Sequence, residues 1–274
     1  MEGVTVKQLL KNLLLSLSHN SRFQRLLERN VNFSQTLMGI GAGSFPDSSG
    51  EEVLVLKLKE RYATTKQPLC IFDVGANKGQ FLSLIVQGLQ STPFCLHAFE
   101  PSEYTYKILS ENARGYSDLF LNNFGLGKQS GECELFYDEK GSGLASLSKR
   151  ELGHFGIDFK YSERVTIETL DDYCRSRKVE HIDCLKLDVE GHELDVLQGG
   201  RQMFRDRKIT MLSFEFGGCN IDSRTYFQDF WHFFRENGMK SIFRIAPSGC
   251  LVPLKQYKEE YEQFRTTNFL VLQD

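Results

Sequence analysis

From residue 70 onward, short apolar runs alternate with longer stretches whose apolar residues recur every three or four positions. The short runs lie at 70–74, 94–99, 119–124, 184–189, 209–216, 240–245 and 268–272. The helical stretches lie at 79–89, 102–114, 170–177, 192–205, 223–237 and 254–264. Strands that alternate with helices are joined by crossovers, which cover both faces of a mostly parallel sheet. The expected fold class is therefore α/β. Residues 125–169 break the alternation: "GECELFY" and "RVTIETL" read as extra strands around the loop "DEKGSGLASLSKRELGHFG".

Residues 1–66 read as an N-terminal helical extension or cap, and 67–274 as the main domain. Leu9, Leu10, Leu13, Leu14 and Leu17 recur at helical spacing, but Lys11 and Asn12 break the run and no small-residue cleavage site follows. Neither a signal peptide nor a membrane span is expected, and the location read from this is cytoplasmic. A glycine- and serine-rich loop, "MGIGAGSFPDSSG", precedes a helix over 51–62. The formal net charge of −3 counts against a basic nucleic-acid-binding face. The seven cysteines form no CxxC pair, so no metal site is expected and the thiols read as reduced core residues.

Three stretches carry chemistry. The first is "CIFDVGANKGQF", a glycine turn between a strand and a helix start. There the backbone bends sharply, a ligand approaches the main chain, and free N–H groups attract an anion. Its spacing is G-x-N-x-G, which departs from the dinucleotide fingerprint. The second is "HAFEPS". Glu100 ends the second strand, 21 residues after Gly79, where an acid accepts hydrogen bonds from ribose hydroxyls. The third is "DCLKLDVEGHELDVLQGG", which crowds Asp188, Glu190, His192 and Glu193 at a strand–helix junction. Lys186 and Asp188 share one face of that strand. A lysine inside an apolar strand needs an acidic partner, here expected in Asp73 or in Glu215 of "LSFEFGG".

Together "FDVGANKGQF", "AFEP", "NNFGLG", "TLDDY", "LKLDVEGHELDVLQGG" and "SFEFG" resemble the FkbM-type methyltransferases, over roughly residues 70 to 217. The resemblance implies a Rossmann-like class I methyltransferase fold: a seven-stranded sheet with its last strand antiparallel, binding S-adenosylmethionine. It implies that Gly75, Ala76, Asn77 and Gly79 wrap the methionine moiety and that Asp73 organises their loop. Glu100, with Pro101 and Ser102, would hold the ribose. Asn123 would lie near the adenine, where Gly125 replaces the family's usual alanine. Ser146 would line the pocket, and "MGIGAG" with Glu51 or Glu52 would form a lid. The reaction implied is O-methylation of a hydroxylated small molecule, such as a sugar or glycosylated natural product.

A hydroxyl acceptor must lose its proton. Among Asp188, Glu190, His192 and Glu215, Glu190 is placed first as base. Asp188 then orients cofactor or acceptor, and Glu215 pairs with Lys186. Mg²⁺ held by Asp188 and Glu190 is the less favoured alternative. His154 and the aromatic face of Phe227, Phe230, Trp231 and Phe234 read as an ordinary loop histidine and core packing, with a base and a homo-oligomer interface as alternatives. The competing functions are a nicotinamide-dependent oxidoreductase, a nucleic-acid methyltransferase and a non-catalytic binding module.

Overall fold

The computed structural model describes residues 5–43 and 49–274. Two helices, α1 (Val6–Leu17) and α2 (Ser21–Leu37), come first, and the Asn20 side chain caps α2 by accepting from the Arg22 N–H at 2.8 Å. Residues 44–48 of the glycine-serine loop lie outside the described residues. The "MGIGAG" part is described, and its Gly41 and Gly43 N–H groups both donate to the Thr266 carbonyl. Among the described residues no helix is long and apolar enough to cross a membrane.

The main domain unfolds in chain order as α3 (Glu52–Thr65), β1 (Leu69–Val74), α4 (Gln80–Gly88), β2 (Phe94–Phe99), α5 (Glu103–Asn112) and β3 (Leu119–Asn122). A small sheet follows, built of β4 (Gly125–Leu126), β5 (Gly131–Tyr137) and β6 (Tyr161–Glu168). Then come α6 (Leu170–Arg177), β7 (Ile182–Leu187), α7 (Glu193–Gly199), α8 (Arg201–Arg205), β8 (Ile209–Phe216), α9 (Cys219–Ser223), α10 (Phe227–Glu236), β9 (Ser241–Ile245), β10 (Leu251–Pro253) and β11 (Thr267–Leu272).

The large sheet runs β10-β9-β11-β8-β7-β1-β2-β3. The pairs from β8 to β3 are parallel, and β11 is antiparallel to both its neighbours. This is the Rossmann-like class I methyltransferase fold. The seven expected strands are present and the last is antiparallel. The eighth, β10, is a three-residue edge strand that pairs with β9 and ends at Pro253, too short to leave a periodic signal.

Side chains alternate between the faces of the sheet. Phe72, Val74, Leu185 and Phe214 meet α6, α7, α8 and α10 on one side. Leu69, Ile71, Leu96 and Cys184 meet α3, α4 and α5 on the other. Phe227, Phe230, Trp231 and Phe234 are buried in the first layer, against Phe214, Phe216 and Phe269 among others, as core packing requires.

Two helix expectations differ. The stretch 192–205 splits at the paired helix-weakening glycines Gly199 and Gly200, and a Cβ on Gly199 would sit 2.0 Å from the Gly127 carbonyl oxygen. The Asp171 carboxylate starts α8 anew by accepting from the N–H groups of Gln202 and Met203. The stretch 254–264 holds only a single 3₁₀ turn, Glu259–Tyr261. Leu254, Tyr257, Tyr261 and Phe264 mimic helical spacing while packing on the core from an irregular chain. Within it, Glu262 accepts from the Phe227 and Gln228 N–H groups at 2.7 and 2.8 Å, placing a carboxylate at the positive end of α10.

Candidate active site

The parallel strands end in a cleft of about 690 Å³, counting its mouth. Open α/β sheets bind ligands at this edge. The turn after β1 forms one wall. Gly75 and Ala76 donate their N–H groups to the Phe99 carbonyl at 3.0 and 2.9 Å, which stitches the turn to the end of β2. Gly75, Asn77 and Gly79 all have positive φ, and asparagine tolerates that conformation better than most side chains.

Glu100 is buried at the foot of the cleft. Its two carboxylate oxygens accept from the Asn77 and Ser102 N–H groups, each at 2.9 Å. Burial pushes its carboxyl up to about 7, against the pull of those two N–H groups. Among the described residues Asn77 Oδ1 is buried without a hydrogen-bond partner, and Asn77 lines the cleft. Such an acceptor beside a cleft is able to take a donor from a ligand or a water.

The end of β7 forms the opposite wall. Asp188, Glu190 and His192 all line the cleft, with Ser146 of the 138–160 loop beside them. Glu190 takes a left-handed backbone, φ +50°, uncommon for such a side chain. Its carboxylate accepts from Arg150 Nη1 at 2.6 Å, and Arg150 also faces Asp222 at 3.4 Å. Burial, followed by the Asp188 charge, pushes the Glu190 carboxyl up to about 8, while Arg150 pulls it down. The buried Glu193 caps the junction, accepting from the Val189 and Gly191 N–H groups at 3.1 Å.

His192 stands between two partners. Nδ1 lies 2.9 Å from Asp195 Oδ2, and Nε2 lies 2.9 Å from Ser148 Oγ. A carboxylate on Nδ1 fixes the tautomer that leaves the Nε2 lone pair free to take a proton. No motif of the sequence singles out Arg150, Ser148, Asp222 or Asp195. Asp195 had a signal, since it follows His192 by three positions at a helix start. The other three lie in a loop or beyond one and had none.

Lys186 is buried, with Asp188 at 3.0 Å, Glu51 at 3.9 Å and Asp73 at 4.0 Å. Of the two expected partners Asp73 is present, whereas Glu215 makes no ion pair with Lys186 within 4 Å among the described residues, which corrects that alternative. The register sets Lys186 beside Ser213 and Asp73, and Glu215 falls two residues further along β8. Burial, then the charges of Asp188, Glu190 and Glu193, push the Glu215 carboxyl well up. Asp73 is fully buried, neither oxygen has a hydrogen bond among the described residues, and burial pushes its carboxyl up to about 7.

Of the residues expected around the cofactor, Gly75, Asn77, Glu100, Pro101 and Asp188 line the cleft, and Gly125 and Ser146 do as well. Asp73, Ala76, Gly79 and Ser102 stand behind the wall. Ser102 Oγ donates to Glu163 at 2.7 Å. Asn123 braces the turn from outside, donating to the Glu100 and Pro101 carbonyls at 3.0 and 3.1 Å. His154 sits in an exposed 3₁₀ turn away from the cleft. Of the lid candidates, Glu51 reaches Lys186 and Glu52 is exposed. Among the described residues, the tight cluster of metal-ligating atom types is Cys70, Cys95 and His97, near the starts of β1 and β2 rather than at the cleft.

Residues 73–241 match the family profile described as the methyltransferase FkbM domain. The chain is 29% identical over 156 residues to hexuronic acid methyltransferase AglP of Haloferax volcanii, covering 56% of this chain and 57% of that protein. It is 27% identical over 143 residues to 2-O-methyltransferase NoeI of Sinorhizobium fredii, covering 48% of this chain and 57% of that protein. It thus spans a little over half the length of these curated relatives. The crystal structure of methyltransferase FkbM from Methylobacillus flagellatus superposes with a TM-score of 0.47 at 16% identity, covering 89% of this chain and 59% of that one. With the profile matched over more than half its length, this chain belongs to the FkbM methyltransferase domain family.

Proposed function

We propose that this protein transfers a methyl group from S-adenosylmethionine to a hydroxyl of a sugar or sugar-bearing natural product. The observation that carries the reading is the Asn77–Glu100 wall: an unpaired amide oxygen and a buried carboxyl side by side in a cleft at the strand ends. The name of one curated relative, a hexuronic acid methyltransferase, supports a sugar acceptor, and that of the other, a 2-O-methyltransferase, supports oxygen as the methylated atom.

The residues present fit the cofactor. Asn77 Oδ1 is an acceptor for the methionine ammonium. Each Glu100 oxygen keeps a second lone pair for a ribose hydroxyl. Pro101, Leu126, Leu135 and Ile167 make an apolar slot for a flat ring. A Cβ on Gly125 would press to 2.9 Å from Ile167 Cδ1, so glycine keeps that slot open.

When bound, the cofactor supplies an electrophilic methyl on a sulfonium. The chain's task is to align the acceptor oxygen, exclude water and remove one proton. Alignment is worth about 7–11 kcal/mol of barrier, and a positioned base about 10²–10⁴-fold. The geometry favours His192 over Glu190 as that base. His192 Nε2 faces a hydroxyl already, that of Ser148, whereas Glu190 is held by Arg150. Asp195 is the positioning residue that orients the imidazole. No metal role is assigned to Asp188 and Glu190, because each carboxylate faces a cation of the chain at 3.0 and 2.6 Å.

The test is transfer of labelled methyl from S-adenosylmethionine to a panel of hydroxylated sugars, with total RNA as comparison. Label in a sugar supports the reading. Label in RNA alone, or in nothing while the cofactor binds, overturns it in favour of a nucleic-acid enzyme or a binding module.

A further inference from the structure

A second cavity, larger than the cleft, opens at the same edge of the sheet. It encloses about 1090 Å³ counting its mouth, and lies where β8 ends at Phe216, β11 begins at Thr267 and β9 nears its end at Arg244. Helix α2 forms its outer wall through Ser34 and Gln35.

Arg244 is the anomaly in that wall. It is half-buried in a strand, in register with Phe269, and its Nε is buried without a hydrogen-bond partner. Among the described residues its guanidinium has no hydrogen bond and no ion pair. The other polar groups nearby satisfy one another. Arg265 donates to Asn32 at 3.1 Å and to Gln35, and Gln35 donates to Gln263 at 2.6 Å. Among the described residues the one acid of the wall, Glu260, holds Lys258 at 2.9 Å. Two arginines therefore face a cavity with one acid that is already paired. A buried Nε without a partner is costly, and the planar guanidinium fork matches a carboxylate or phosphate in two-point contact. Tyr261 and Phe216 supply apolar faces beside it.

We propose that this cavity binds the anionic group, carboxylate or phosphate, of a hydroxylated acceptor, with Arg244 as its main contact. The inference rests on the transferase reading only for calling the ligand a hydroxylated acceptor, since the cavity and the cleft share no lining residue. It does not rest on that reading for the anion site itself.

The test is calorimetry on the full chain in low salt, with and without S-adenosylhomocysteine. The probes are methyl glucuronide, glucose 1-phosphate and the neutral methyl glucoside. At least one anionic probe binds about tenfold or more tighter than the neutral one, and Arg244→Gln removes that preference while leaving S-adenosylhomocysteine affinity unchanged. Glucuronide against glucose 1-phosphate separates a carboxylate from a phosphate ligand. Without ligand, Arg244→Gln melts at the same temperature or higher, since it relieves a half-buried cation whose Nε has no partner. Equal binding of charged and neutral probes, an anion preference that survives Arg244→Gln, or a melting temperature lowered by more than about 5 °C overturns the proposal, the last by showing a structural arginine. Arg244-dependent anion binding without S-adenosylhomocysteine binding would uphold this site and reject the transferase reading instead.

Discussion

Gly75 and Asp188 meet through their backbones: a Cβ on Gly75 would sit 1.8 Å from the Asp188 carbonyl oxygen. Two motifs 113 positions apart are thereby pressed into one unit, with the Asp188 N–H also donating to the Val74 carbonyl at 2.9 Å. The glycine is demanded by this contact and by its φ of +83°, besides the room it leaves for a ligand.

Gly75→Ala therefore damages the fold before it blocks a site. The variant is expected to lose soluble protein or melt far below wild type. Gly131→Ala, where nothing lies within 4 Å of the added Cβ, is expected to melt as wild type does. Equal melting of both variants would contradict the close approach.

Lys186→Met strands Asp73, which then has no cation near it in a fully buried position. Breaking such a cluster costs about 3–5 kcal/mol. Protonating Asp73 relieves the cost, so the deficit in melting temperature is expected to be larger at pH 8 than at pH 5.5. A deficit independent of pH would show that the lysine acts through packing alone.

The wild-type chain carries the same signature more weakly. Burial raises Asp73 and Glu100 to about 7 and Glu190 to about 8, and raises Glu193 and Glu215 also. Each binds its proton more tightly folded than unfolded. Their contribution to stability is full below the unfolded carboxyl range, near 4, and is lost as pH rises through 7 to 8. Thermal melting without ligand is expected to be highest near pH 5 and to fall by pH 8.5. A steady rise over that window would contradict these assignments.

Asp195→Asn keeps the shape of the His192 contact and removes the charge that fixes its tautomer. Turnover is expected to fall by about 10²-fold or more, with S-adenosylmethionine affinity within about twofold of wild type. A variant with unchanged turnover would return the base role to Glu190.

The strand alternation and the acids at strand ends were legible because both follow from local rules. A period of two or of 3.6 marks the elements, and a strand's last residue faces the ligand edge whatever lies beside it. Glu100 and Asp188 reach the cleft for that reason, and Glu190 and His192 follow in the turn that leads into α7. Periodicity alone leaves Asp73 and Glu215 both open as partners of Lys186, because register is a long-range property: a shift of two residues changes the partner and keeps the face. Arg150 and Ser148 come from a loop without period, folded back by the small sheet through the Phe136–Ser146 bridge. Cys70, Cys95 and His97 became neighbours only because β1 and β2 pair in parallel, with Cys70 opposite Cys95.

The central claim is that the Gly75–Gly79 turn and Glu100 hold a sulfonium nucleoside. The most direct measurement is a calorimetric titration of the purified chain with S-adenosylmethionine and S-adenosylhomocysteine, with NAD and NADP as controls. The account predicts saturable binding of both sulfur nucleosides and none of the nicotinamide nucleotides, with Asn77→Ala weakening the former. Binding of NAD or NADP in their place, or binding of none of the four, would contradict it.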